Sequence, residues 1–204
     1  AEAKRGYYAY VTLPWIKTGA NLSCTVLMDL IAAGVLKGQK VWHLQVDGAS
    51  DNIAYTVMYF SAWLLLMSQQ RCFGDLLVLE TIVLSRLPVG HTHIDIDQVF
   101  SVFSRYVFGV NTSRFGPRDI FTLEAFLEAI LKAHKNIQKA RFIESCLDFD
   151  FLFKNVKHNK TDTGIQDYRV FEFSTKRDSP GKVFLRTKVD MDSTTWVPWR
   201  EGTD

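Results

Sequence analysis

The sequence predicts an α/β fold, a layered sheet with helices packed on it, on three observations. β-rich and helical segments alternate through the first half of the chain. The run Leu76 to Leu84 is apolar almost throughout, the pattern of a strand covered on both faces. Near the C-terminus two segments of alternating polarity flank the turn Asp178-Ser-Pro-Gly181 and read as a β-hairpin.

Tyr7 to Pro14 has the composition of an opening strand, and because the chain starts at Ala1, almost in that strand, we expect a piece of a longer polypeptide. Cys24 to Leu36 carries apolar side chains at helical spacing until Gly34 and Gly38 end it. Lys40 to Val46 alternates and stops at Asp47-Gly48, a strand running into an acidic turn. Asn52 to about Gln70 predicts a helix apolar nearly all round and therefore buried, with Ser50 or Asp51 as its cap. After the Leu76 to Leu84 strand and the loop Leu87-Pro-Val-Gly90, Ile96, Val99, Phe100, Phe103, Tyr106 and Val107 recur at intervals of three and four, a further helix. Pro117 to Lys139 and Ala140 to Phe153 predict two more helices, and the polar, basic stretch from Asn155 to Gly164 a linker. The hairpin strands are expected at Tyr168 to Phe173 and Lys182 to Lys188, with Trp196-Val-Pro-Trp199 as a closing segment.

The 204 residues are 47% hydrophobic and 23% charged, the balance of a globular chain with room for one good core and a smaller unit. A net charge of +2 produces no global field that would announce a nucleic acid, so such binding has to be local. Three widely spaced cysteines, Cys24, Cys72 and Cys146, describe neither a disulfide framework nor a zinc knuckle, and their apolar neighbours predict buried, reduced thiols. No signal peptide is legible, and the longest apolar run, Ile53 to Met67, is too short for a membrane span. A soluble, intracellular protein with no membrane partner is the expectation.

Candidate chemistry gathers at the carboxyl ends of the strands, where loops and helix starts converge in an open α/β sheet. Asp47 follows one strand directly; Asp95 and Asp97 fall in the first helical turn after the next. If those strands are neighbours, the carboxylates converge on one divalent-cation site of hard oxygen ligands, suited to Mg2+ or Mn2+. The plain structural roles stand beside this: Asp47 as a turn residue, Asp95 as a helix cap after Thr92, Asp97 as a solvated first-turn acid. His91 and His93, with Asp95, form a His-x-His-x-Asp pattern that suggests zinc in the manner of metallo-β-lactamases. That pattern requires a histidine directly after the aspartate, and here the residue is Ile96. A simpler role for either histidine is to hydrogen-bond the acids or contact a phosphate.

Leu44-Gln-Val-Asp-Gly-Ala-Ser-Asp-Asn52 and Leu87-Pro-Val-Gly-His-Thr-His-Ile-Asp-Ile-Asp-Gln-Val-Phe100, separated by a helix and a strand, resemble an uncharacterised family of eukaryotic, transposon-associated proteins with a Gly-His-Thr-His-x-Asp-Ile-Asp signature. More distantly, the order is similar to DDE transposases of the mariner type, in which a strand ends in Asp and a later helix begins Asn-Pro-Ile-acid-x-x-Trp. Leu87-Pro88 and Ile96-Asp97-Gln-Val-Phe100 occupy the matching places.

The resemblance implies an RNase H-like three-layer core over residues 1–110 that lacks its first strands, a helical extension over 111–154, and a linker with a β-hairpin unit over 155–204. It implies metal-dependent cleavage and strand transfer of DNA, with Asp47 and Asp97 as metal ligands, His91 and His93 assisting at the phosphate, and Asp95 as a cap or supporting residue. DNA is then the partner, the nucleus the location, and no small organic cofactor is needed; self-association is left open. The first acid of such a triad is missing, since Glu2 is at the ragged start and Asp29 lies within a helix, so the chain alone is expected to be a poor nuclease. The contrasting expectation is a catalytically silent module of the same fold that binds nucleic acid or protein.

Overall fold

A computed structural model describes residues 6–46, 54–87, 95–108, 120–156, 165 and 167–198. The chain is mixed α/β, in the order β1 (Tyr7–Thr12), α1 (Ala20–Ala32), β2 (Val41–Val46), α2 (Tyr55–Gln69), β3 (Thr81–Arg86), α3 (Asp95–Phe108), α4 (Leu123–Ala133), β4 (Ile137–Ile143), α5 (Phe149–Phe153), β5 (Val170–Thr175), β6 (Val183–Lys188) and β7 (Val197–Pro198). It divides into two compact units: residues 1–16 with 90–145, and residues 17–89 with 146–204.

The larger unit is built on a five-stranded mixed sheet in the order β2-β3-β5-β6-β7. β2 and β3 are parallel, and each later neighbour is antiparallel. β3 is flanked on both edges, and its alternate residues Ile82 and Leu84 are buried in the core that also holds Phe60 and Leu64. β2 pairs only with β3 among the described residues, and its side chains alternate between exposed and half-buried. α2 packs against α1, β5 and α5, so Phe60, Leu64 and Leu65 are fully buried. Burying its serines is tolerated because each has a partner: the Ser61 hydroxyl donates to the Val57 carbonyl at 2.9 Å and that of Ser68 to the Leu79 carbonyl at 2.9 Å.

The two helix endings differ in one telling way. After α1, Gly34 takes a φ of 77°, its N–H donates to Ile31, and that of Val35 donates to Leu30, the left-handed turn that glycine favours. After α2 the same hydrogen bonds run from Arg71 to Ser68 and from Cys72 to Met67, but the left-handed residue is Arg71, with a φ of 54°. An L side chain there costs roughly 1 kcal/mol.

The smaller unit pairs β1 and β4 in parallel and sets α3 against α4 and α4 against β4. Thr122 caps α4, its hydroxyl oxygen accepting from the Ala125 N–H at 3.1 Å, and Phe103 of α3 meets Phe126 of α4 edge-on at 5.6 Å.

Three expectations are corrected. The helix expected over Ala140 to Phe153 is instead β4 followed by the five-residue α5: Ile137-Gln-Lys-Ala-Arg-Phe-Ile143 finds a complete parallel partner in β1, and that pairing outweighs its helix-compatible composition. The strand expected at Leu76 to Leu84 begins later, at Thr81, because Gly74–Leu76 winds into a short 3-10 turn. Cys72 is exposed rather than buried, since it lies in the turn that leaves α2; Cys24 is buried and Cys146 half-buried. The hairpin is present, with Val170 facing Lys188 and Thr175 facing Val183.

Candidate functional site

β2 and β3 run in parallel, in register from Val41 opposite Thr81 to Val46 opposite Arg86, and the Leu87 N–H donates to the Val46 carbonyl at 3.0 Å. The carboxyl ends of the two strands are therefore adjacent. Asp47 is the next residue after Val46, and α3, whose first turn contains Asp95 and Asp97, is the next element after β3. Asp47, His91 and His93 lie outside the described residues; for Asp95 and Asp97 the helical backbone is described and the side chains are not.

Asp47 belongs to the larger unit and Asp95 and Asp97 to the smaller, each on the segment that follows one of the two parallel strands. Carboxylates are the donors that Mg2+ takes, one or two at a time, with waters or phosphate oxygens completing its shell. Among the described residues no three His, Cys, Asp or Glu side chains are grouped to hold a metal ion. No helix among them is long and apolar enough to cross a membrane.

Two residues at this end of the sheet escaped the sequence reading. Arg86 closes β3, and its backbone N–H donates to the Arg169 carbonyl at 2.9 Å. Burial first, then the neighbouring Arg169, presses the Arg86 guanidinium below its usual pKa, against a smaller opposing pull from Asp167. Arg86 and Arg169 thus bring two cations to the end of β3, with Asp167 partly offsetting them. The sequence signal was Arg86 itself; an expected strand end at Leu84 left it outside the strand.

Elsewhere, the smaller unit holds an apolar cleft of about 370 Å³, lined among others by Tyr8, Tyr10, Phe100, Phe103 and Phe126. At the far edge of the larger unit, Trp196 is covered by the Arg186 guanidinium at 4.2 Å and the Lys188 ammonium at 4.5 Å, and Arg186 forks onto the Glu172 carboxylate at 2.7 and 2.8 Å.

A family model described as a domain of unknown function, DUF7869, matches residues 1–191. The chain belongs to the DUF7869 family. The match spans both units of this DUF7869 domain, from β1 to just beyond β6. No curated protein and no solved structure matches it.

Proposed function

We propose that this DUF7869 domain is the RNase H-like core of a DDE-type transposase, or of a protein descended from one, that cleaves and transfers DNA phosphodiesters with Mg2+ or Mn2+. The observation that carries the reading is the parallel pairing of β2 with β3, since Asp47 follows the first of these strands and the helix bearing Asp97 follows the second.

In this reading Asp47 and Asp97 are the metal ligands, Asp95 caps α3 and supports its neighbour, and His91 and His93 hydrogen-bond the phosphate. Arg86 and Arg169 add positive charge at the same sheet end and lower the cost of bringing a phosphate beside two carboxylates. Cations held by Asp47 and Asp97 would activate a water or hydroxyl nucleophile and stabilise the leaving oxygen. DNA is the substrate, and the nucleus the place of action. A second reading, a catalytically silent module that binds nucleic acid or protein, is favoured by the edge of β6, where Arg186 and Lys188 lie over the half-buried Trp196 ring.

The two readings separate in a plasmid-nicking assay on the full-length natural protein. The nuclease reading expects nicking with Mg2+ or Mn2+ that falls by two orders of magnitude or more on Asp47→Asn or Asp97→Asn. Nicking that persists in both variants, or its absence from the full-length protein, overturns it.

A further inference from the structure

At the opposite end of the β2–β3 pair, where both strands begin, a cleft of about 520 Å³ is lined by Lys40, Arg71, Lys176 and Arg177 around a single carboxylate, Glu80. Its frame is tied together by hydrogen bonds. The Lys40 carbonyl accepts from the N–H groups of Glu80 and Thr81 at 2.7 and 3.0 Å, the Thr175 N–H donates to the Glu80 carbonyl at 3.0 Å, and the Gly181 N–H donates to the Gln69 side chain at 3.1 Å. The cations therefore stand on a fixed scaffold although their side chains reach into solvent.

Only one of the four is neutralised by direct pairing among the described residues: the Lys40 ammonium meets the Glu80 carboxylate at 2.8 Å. Arg177 lies near enough to add to the pull that holds Glu80 below the usual glutamate range, after the larger effects of Lys40. Arg71 projects from the left-handed turn after α2, where glycine would be less strained, so the fold keeps a charged side chain at this rim at a cost in stability.

We propose that this cleft binds the phosphodiester backbone of a nucleic acid. It is many times larger than one phosphate ion, and its cations come from three separate stretches of chain, before β2, after α2 and after β5, so it suits a ligand whose charge recurs along its length. Two of the four cations are arginines, whose planar forks match pairs of phosphate oxygens. β2 separates this cleft from Asp47 by six residues, roughly 20 Å of strand, so the cleft is a second contact with DNA and not part of the proposed metal site.

The choice of ligand rests on reading the chain as a DNA-acting protein, and the test is arranged to stand apart from that reading. Binding of a labelled DNA duplex is followed by fluorescence anisotropy in the presence of a metal chelator, over a range of salt concentrations, for the wild-type chain, Arg71→Gly, and the double variant Lys176→Gln/Arg177→Gln. We expect the double variant to bind about tenfold more weakly, with a salt dependence shallower by roughly two phosphate contacts. Arg71→Gly should also bind more weakly while unfolding at the same or a higher temperature, which separates lost contact from lost fold. Variants that bind with wild-type affinity and salt slope, a wild-type chain that binds no duplex, or displacement of the duplex by polyglutamate at equal charge each overturn the proposal. Because metal is excluded, failure of the nuclease reading appears in the nicking assay and not here.

Discussion

Cys24 is fully buried, and its thiol is pushed up to about 12, by burial first and then by the nearby Asp150 and Cys146. A thiol whose folded pKa lies above its unfolded value adds stability that is fully present below about 9 and is lost as pH rises toward 12, because only the unfolded chain ionises in that window. Near pH 8 a thiol reagent should therefore modify the exposed Cys72 readily and reach Cys24 only as the chain unfolds; mass mapping of the labelled cysteines checks this. Equal labelling of Cys24 and Cys72 in the folded chain would contradict it. The sequence placed all three thiols in apolar surroundings, which holds for Cys24 and fails for Cys72, since exposure there depends on where α2 stops and its closing turn begins. Arg71 was unreadable for the same reason: nothing in Gln-Gln-Arg-Cys announces a left-handed residue that is not glycine.

At the scale of elements, α5 is too short to hold itself and depends on Asn21 of α1. The Asn21 side-chain oxygen accepts from the N–H groups of Phe149 and Asp150 at 3.0 and 3.1 Å, while Asp148 accepts from Phe151 at 2.9 Å. This anchors Phe149, which packs edge-on against Phe60 at 4.9 Å. Asn21→Ala should lower stability by about 1–2 kcal/mol in urea unfolding, the cost of leaving these donors without a partner. A change near zero would show that Asp148 alone suffices. The sequence does not announce this role for Asn21, because its partners lie more than a hundred residues away. β4 was misread for a related reason. Its alternation is weak, and a parallel partner at β1 becomes visible only once the chain has folded back.

Across the whole molecule, the alternation of strand and helix from β1 to α3 and the C-terminal hairpin were legible, since each depends on local periodicity and turn chemistry. The division into two units was not, because the chain leaves the smaller unit at Ile16 and returns at Gly90. The deep core belongs to the larger unit, where Phe60, Leu64, Leu77, Ile82 and Phe171 are all at or below 1% exposure; among the described residues of the smaller unit the most buried side chain, Ile143, retains 4%. The adjacency of β2 and β3 was foreseen only as a condition for the carboxylates to converge, and the parallel pairing meets it. The measurement that tests the metal-site reading most directly is Mn2+ binding to the chain, by electron paramagnetic resonance, in wild-type, Asp47→Asn and Asp97→Asn proteins. Binding that each substitution weakens at least tenfold is the predicted result; no Mn2+ binding, or binding that both substitutions leave unchanged, would contradict it.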